Sequence, residues 1–290
     1  MTGLPLLRTE LLDLLAELRF SDIPLIIGGG YGIFLKTEHV RRNNFPTILS
    51  EWPETRATSD IDLFLRPELL IQPGRLLPLA EAIRRLGYSV IPSAEKYQFV
   101  KKGKEGIGEI KIDILTGPQS RFTGSGIKAD NRRVHPNPSV GLHAHPVNEA
   151  PTLENHLLAV PLSGMLTNGQ QYSGEVYIPH PYTCLMMKLF AFKDRVKDQS
   201  KEFGRYHALD LYSIVATTME TEWNMFSAFR GQLNGEPIAQ KASEIVAEYF
   251  SRPSDPGILR MRESRYFRPN LQIKLFIDIL RESFERTVTQ

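Results

Sequence analysis

Apolar side chains recur at three- and four-residue intervals through residues 3–20, which predicts one amphipathic helix. The run IPLII at 23–27 is short, continuous and apolar, as a buried strand would be, and it stops at three glycines. YGIFLKTEHVRR then reads as a helix leaving that turn, and the polar, proline-bearing residues 43–59 as a loop long enough to be functional. IDLFL at 61–65 predicts a strand closed by Pro67. A second helical pattern spans 76–86 and ends at Gly87; YSVI and YQFV predict strands on either side of a turn. In EIKIDIL, 109–115, Ile110, Ile112 and Ile114 alternate with Lys111, Asp113 and Leu115, the pattern of a half-buried strand. Residues 117–150 are rich in Gly, Pro, Asn and His and are expected to be mostly irregular. From Pro181 onward the patterns are long and helical. A boundary between 150 and 180 follows, with 1–165 as a core domain and 166–290 as a mainly helical one.

Composition adds bounds. With 41% hydrophobic and 23% charged residues the chain is globular, and its net charge of +2 means that any nucleic-acid surface must be local. The single cysteine, Cys184, excludes an internal disulfide framework and is expected to be buried and inert in its apolar helix. Arg8, Glu10 and Asp13 interrupt the first apolar run, so neither a signal peptide nor a membrane span is expected there, and a cytoplasmic protein is the expectation.

The chemistry concentrates in TRATSDIDLFLRP, residues 55–67. In a strand, residues i and i+2 leave one face about 6.6 Å apart, so Asp60 and Asp62 point one way while Ile61 and Leu63 point into the core. Asp113 sits similarly within its own strand. Three such carboxylates would repel one another and drive one toward protonation, a conflict that a divalent cation removes. Mg²⁺ suits one or two carboxylates plus substrate phosphates, and a pair of ions about 3.5–4 Å apart would clamp an in-line displacement at phosphorus. A bare Asp-x-Asp also fits a solvated strand edge or turn cap; the upstream glycine turn and the third strand-borne Asp favour the chemical reading.

That glycine turn fails the dinucleotide fingerprint, because the required glycines are Ile33 in one register and Leu35 in the other. What remains is that Gly28, Gly29 and Gly30 precede a helix, where backbone N–H groups can approach a phosphate. A tight strand-to-helix junction without a ligand fits the same residues.

Together, GGGYGIFL, RATSDIDLFL and KIDIL resemble the DNA polymerase beta-like nucleotidyltransferase superfamily, and more narrowly the AbiEii-type family with its MenT-like toxins of type IV toxin–antitoxin systems. The resemblance implies an α+β chain: a nucleotidyltransferase-fold mixed-sheet domain followed by a helical C-terminal domain. The family's Arg-x-Thr-x-Asp-x-Asp falls on Arg56, Thr58, Asp60 and Asp62, and its later helical motifs on Lys188 and Asp210. Ser59 directly precedes Asp60, where many members have Gly-Ser. Implied cofactors are Mg²⁺ or Mn²⁺ on Asp60, Asp62 and Asp113, with an NTP as substrate and pyrophosphate leaving. For the MenT-like branch the implied acceptor is the 3′ end of tRNA, and a cognate antitoxin is the implied partner. Transfer to a small molecule or a protein hydroxyl, or a silent nucleotide- or RNA-binding protein, is the alternative.

Taken as a helix, 184–196 lines up Leu185, Leu189, Phe192 and Val196 toward the core, with Lys188 and Arg195 within roughly 20° of each other on its border. Lys188 could meet a triphosphate as a point charge and Arg195 hold an oxygen pair, with Asp210 orienting Lys188 or the acceptor and His207 an exposed bystander. Arg121, Lys128, Arg132 and Arg133, with Arg41, Arg42 and Arg56, are candidates for a phosphate-tracking groove. His135, His143 and His145 lack the companions of a zinc site. Residues 220–290 carry no motif.

Overall fold

A computed structural model describes residues 3–56, 58–103 and 108–285. Contacts divide the chain into two units, Met1–Gly32 with Ala57–Pro179, and Ile33–Arg56 with His180–Gln290.

The first unit is a mixed sheet with helices. Along the chain it contains α1 (Gly3–Glu17), β1 (Ile26–Ile27), the first turn of α2 (Gly29–Arg42), β2 (Asp60–Leu65), α3 (Pro67–Ile71) and α4 (Leu77–Arg85). It continues through β3 (Ser89–Val90), β4 (Gln98–Lys101), β5 (Ile110–Thr116), β6 (Lys128–Ala129), β7 (Val134–His135), β8 (His145–Pro146), β9 (Leu158–Met165) and β10 (Gln171–Ile178). The sheet runs in the order β3-β4-β5-β2-β1-β10-β9, with β8 joining the end of β5. β2 and β5 are parallel, as are β1 and β10, while β4 is antiparallel to β5 and β1 to β2.

The alternation read in β5 is real: Ile110, Ile112, Ile114 and Thr116 are buried and Lys111, Asp113 and Leu115 half-buried. In β2, Ile61, Leu63 and Leu65 are buried on one face and Asp60 and Asp62 lie half-buried on the other. Helix α1 packs on the β9–β10 hairpin, where Gly164 and Gly174 leave room for Leu12 and Leu15. Leu7, Leu11, Leu12 and Leu14 are buried, each contributing about 1.5–3 kcal/mol of transfer free energy. Its two buried carboxylates are both satisfied. Glu10 accepts from Tyr88 (2.9 Å) and Lys101 (2.7 Å), and Asp13 from the Thr167 amide (3.0 Å) and hydroxyl (2.6 Å).

Residues 117–150 are mostly irregular, as expected, and carry the short β6–β7 ladder and β8. The boundary at 165/166 falls in the turn between β9 and β10, both of which stay in the first unit because β10 pairs with β1 through Tyr177 and Ile26.

The second unit is helical: the rest of α2, then α5 (Pro181–Arg195), α6 (Arg205–Ala216), α7 (Glu220–Trp223), α8 (Phe226–Gln232), α9 (Pro237–Tyr249), α10 (Pro256–Arg262) and α11 (Ile273–Phe284). The α5 stripe of Leu185, Leu189, Phe192 and Val196 is buried as read. Aromatic rings close the core, Tyr182 stacked on Phe229 and packed against Phe226 and Phe284, and Phe192 edge-on to Tyr249 and Phe250. Loop 43–56 belongs here because its backbone is bonded into the helices. The Ile48 amide donates to Thr218, the Glu54 amide to Tyr266, and the Tyr212 hydroxyl to the Glu51 carbonyl. Lys36 and Glu222, both buried, form an ion pair at 2.6 Å, and Glu222 also accepts from the Met219 amide at the start of α7. Among the described residues, no helix is long and apolar enough to cross a membrane.

Candidate functional site

Parallel pairing of β2 with β5 sets Asp62 directly beside Asp113, with Asp60 one strand step away beside Lys111. Because i and i+2 share a face, the three carboxylates and Lys111 emerge on one side of the sheet, opposite the buried isoleucines.

The turn after β1 is shaped around this row. Gly29 opens α2 at φ +59°, and a Cβ placed there would lie 1.5 Å from the Asp62 Oδ2. The Gly28 amide donates to the Asp62 carbonyl at 2.9 Å. The missing side chain thus admits a carboxylate to the positive end of α2, where the helix dipole favours an anion. Sequence reasoning found these glycines and left a phosphate or a tight junction open; the side chain lying against Gly29 is Asp62, 33 positions on. Gly30 is the next residue of the α2 first turn.

The charges are in conflict. Burial, then the neighbouring Asp62 and Asp60, push the Asp113 carboxyl up to about 6, while the Gln98 amide and Lys111 pull the other way. Its Oδ1 is buried and, among the described residues, has no hydrogen-bond partner. Asp60 accepts from the Ser59 hydroxyl at 3.0 Å, and its amide donates to the Thr58 hydroxyl at 3.4 Å. As placed, no three acidic or histidine groups among the described residues close around one point as a cation cage. The pair in register is Asp62 with Asp113, and a hard dication that retains its waters needs no more than one or two carboxylates. A buried Asp113 oxygen without a partner among the described residues, in register beside a second carboxylate, is a donor set that fits such an ion.

A separate group lies in the second unit. Asp210, 4% exposed, accepts from the Lys188 ammonium at 2.7 Å and from Arg56 through Nε and a terminal nitrogen, both at 3.2 Å. Burial alone would raise its carboxyl; Lys188 and Arg56 outweigh that and hold it below the usual range. The Arg56 guanidinium also lies 5.4 Å from the Tyr206 ring centre. One Arg195 nitrogen donates to the Ala191 carbonyl of its own helix at 3.0 Å, and Arg195, like Lys188, acts on His207. His207 is no exposed bystander. Its Nδ1 is buried without a partner among the described residues, and burial, with Lys188 next, drives the ring down to about 3. Burial likewise pushes the Cys184 thiol up to about 11, so it stays a thiol.

In the basic loop, Arg133 pairs with Glu95 and Arg121 with Glu154 at 3.4 Å, so part of its charge is already compensated. His135 and His143 lie 4.6 Å apart between ring centres, their planes tilted by 42°.

No family model and no curated protein matches the sequence. Two solved structures superpose loosely. One is the solution structure of the antibiotic-resistance factor ANT(2'')-Ia, at 18% identity and TM-score 0.37, covering 79% of this chain and 95% of that one. The other is the crystal structure of ANT(2'')-Ia in complex with adenylyl-2''-tobramycin, at 19% identity and TM-score 0.38, covering 78% and 98%. Likenesses this loose carry no argument about the chemistry, which rests on the side chains described above.

Proposed function

We propose that the protein is a metal-dependent nucleotidyltransferase that moves a nucleoside monophosphate from an NTP to an acceptor hydroxyl. The observation that carries this reading is the register pairing of Asp62 with Asp113, which leaves a buried carboxylate oxygen unpartnered on a face that also presents Asp60. Bound Mg²⁺ or Mn²⁺ would supply charge neutralisation for the triphosphate and the leaving pyrophosphate. Asp62 and Asp113 would hold it, with Asp60 completing the acidic face. Catalysis of this kind consists mostly of positioning and electrostatic stabilisation.

For the acceptor, the resemblance through Arg56, Thr58, Asp60, Asp62, Lys188 and Asp210 supports the 3′ end of tRNA, and with it a toxin role answered by an antitoxin. The resemblance assigns nucleotide binding to the glycine turn with Thr58 and Ser59 in the first unit and, in the second, to Arg56 and Lys188, gathered by Asp210, and Arg195, one nitrogen of which donates to the α5 backbone.

The test is incubation of the protein with each labelled NTP, Mg²⁺ and total tRNA, beside Asp60→Ala. Label on RNA that disappears in the variant supports the full proposal. Label on protein or on an added small-molecule alcohol keeps nucleotidyl transfer and replaces the acceptor. Absence of pyrophosphate release with every NTP and acceptor would sink the enzymatic reading.

A further inference from the structure

The row that holds Asp62 beside Asp113 has a third member. On the opposite side of β5, Gln98 of β4 is the antiparallel partner of Asp113. The Ile114 amide donates to the Tyr97 carbonyl at 2.7 Å, immediately next to that pair. Gln98 and Asp113 therefore occupy a non-hydrogen-bonded position of the ladder, where facing Cα atoms are only about 4.5 Å apart and side chains lie closest. The Gln98 carbonyl accepts from the Ile91 amide at 3.0 Å, which fixes its backbone on the β3 side. Its side-chain amide faces the Asp113 carboxyl across this close pair and favours the charged form, while Asp113 Oδ1 stays without a partner among the described residues.

We infer that Gln98 is a positioning residue for the metal site: its amide holds one oxygen of Asp113 and leaves Oδ1 for the cation shared with Asp62. The inference rests on the metal-site reading above. A neutral donor is the side chain this place requires. A lysine would cancel the charge that attracts the ion, a glutamate would add a fourth carboxylate to a row that already repels itself, and an apolar residue would let the Asp113 carboxylate turn. Carboxylates that ligate metals are generally held by such hydrogen bonds, and losing the partner typically costs about 10–100-fold in affinity.

Mn²⁺ binding to the full chain, titrated by electron paramagnetic resonance, tests this without reference to turnover. Wild type, Asp62→Asn, Gln98→Met and Gln98→Leu are compared, with melting temperatures taken in chelator. The expected result is wild-type binding, its loss in Asp62→Asn, and about 10–100-fold weaker binding in both Gln98 variants, with melting temperatures near wild type. Wild-type affinity in the folded Gln98 variants would overturn the inference while leaving the metal site intact. Gln98 variants that both melt far below wild type in chelator would make the residue structural and overturn it equally. Failure of the wild type to bind Mn²⁺ would remove the underlying reading and this one with it.

Discussion

Replacing Asp113 by Asn is expected to make the metal-free protein more stable while destroying its proposed function. The Asp113 carboxyl stands at about 6 in the fold against 3.8 ordinarily, from burial first and from Asp62 and Asp60 after it. At about 1.4 kcal/mol per pH unit, ionised Asp113 costs the fold about 3 kcal/mol. Its folded pKa is raised, so the favourable contribution is complete below 3.8 and is lost as pH rises through about 6. Asn keeps the shape and offers Asp62 a donor in place of a like charge. In chelator at pH 7.5, Asp113→Asn should gain about 2–3 kcal/mol, or about 4–10 °C in melting temperature. The gap should narrow as pH falls below about 6 and vanish only below about pH 3, where the wild-type carboxyl is protonated in both states. Mn²⁺ at 100-fold excess over Kd should close the gap, since it stabilises wild type by about 2.7 kcal/mol, and at 1,000-fold excess, about 4.1 kcal/mol, it should reverse the order. Thermal melts at matched ionic strength, across pH and with or without Mn²⁺, decide it. A variant no more stable than wild type at pH 7.5, or a gap indifferent to pH, would refute the electrostatic argument.

Other outcomes follow from the same structure. Gly29→Ala would put a Cβ 1.5 Å from Asp62 Oδ2 at φ +59°; the left-handed backbone alone costs about 1–2 kcal/mol, and both melting temperature and Mn²⁺ affinity should fall, so retention of either contradicts the packing described. Lys36→Ala should cost about 3–5 kcal/mol in urea unfolding by stranding Glu222, whereas Lys36→Met with Glu222→Leu should cost far less; equal losses would refute the pairing argument. The His207 ring, held down to about 3, gives stability that is present above 6.5 and lost as pH falls below it, about 2 kcal/mol between pH 7 and 5. His207→Leu should flatten that dependence, and parallel urea midpoints for the two proteins at both pH values would show the ring titrates elsewhere.

Local pattern was enough wherever one face of an element meets one environment. The isoleucine alternation in β5, the α5 stripe and the shared face of Asp60 and Asp62 all follow from periodicity, and the structure has them. The β9–β10 hairpin escaped because glycine, serine and proline dilute its alternation; the signal it did carry was Asn168-Gly169, a hairpin-turn dipeptide, with Gly169 at φ +83°. The Lys36–Glu222 pair and the bond of Arg56 to Asp210 join residues 186 and 154 positions apart, and nothing local marks either. His207 shares a helical face with Asp210, yet whether that face meets water is decided by neighbouring elements. The space at Gly29 had a visible vacancy in the sequence; what fills it depended on strand register.

The sheet order also bears on how a nascent chain assembles. Strands β2, β4 and β5 come from one stretch, 60–116, so the acidic row can form as soon as that stretch leaves the ribosome. Docking Tyr177 against Ile26 closes a loop of about 150 residues, against about 50 for Asp62 with Asp113, an entropic handicap of about 1 kcal/mol. Until that late closure, the short β1 lacks one of its two neighbours, and the interval before β10 arrives is when newly made molecules are most open to mispairing.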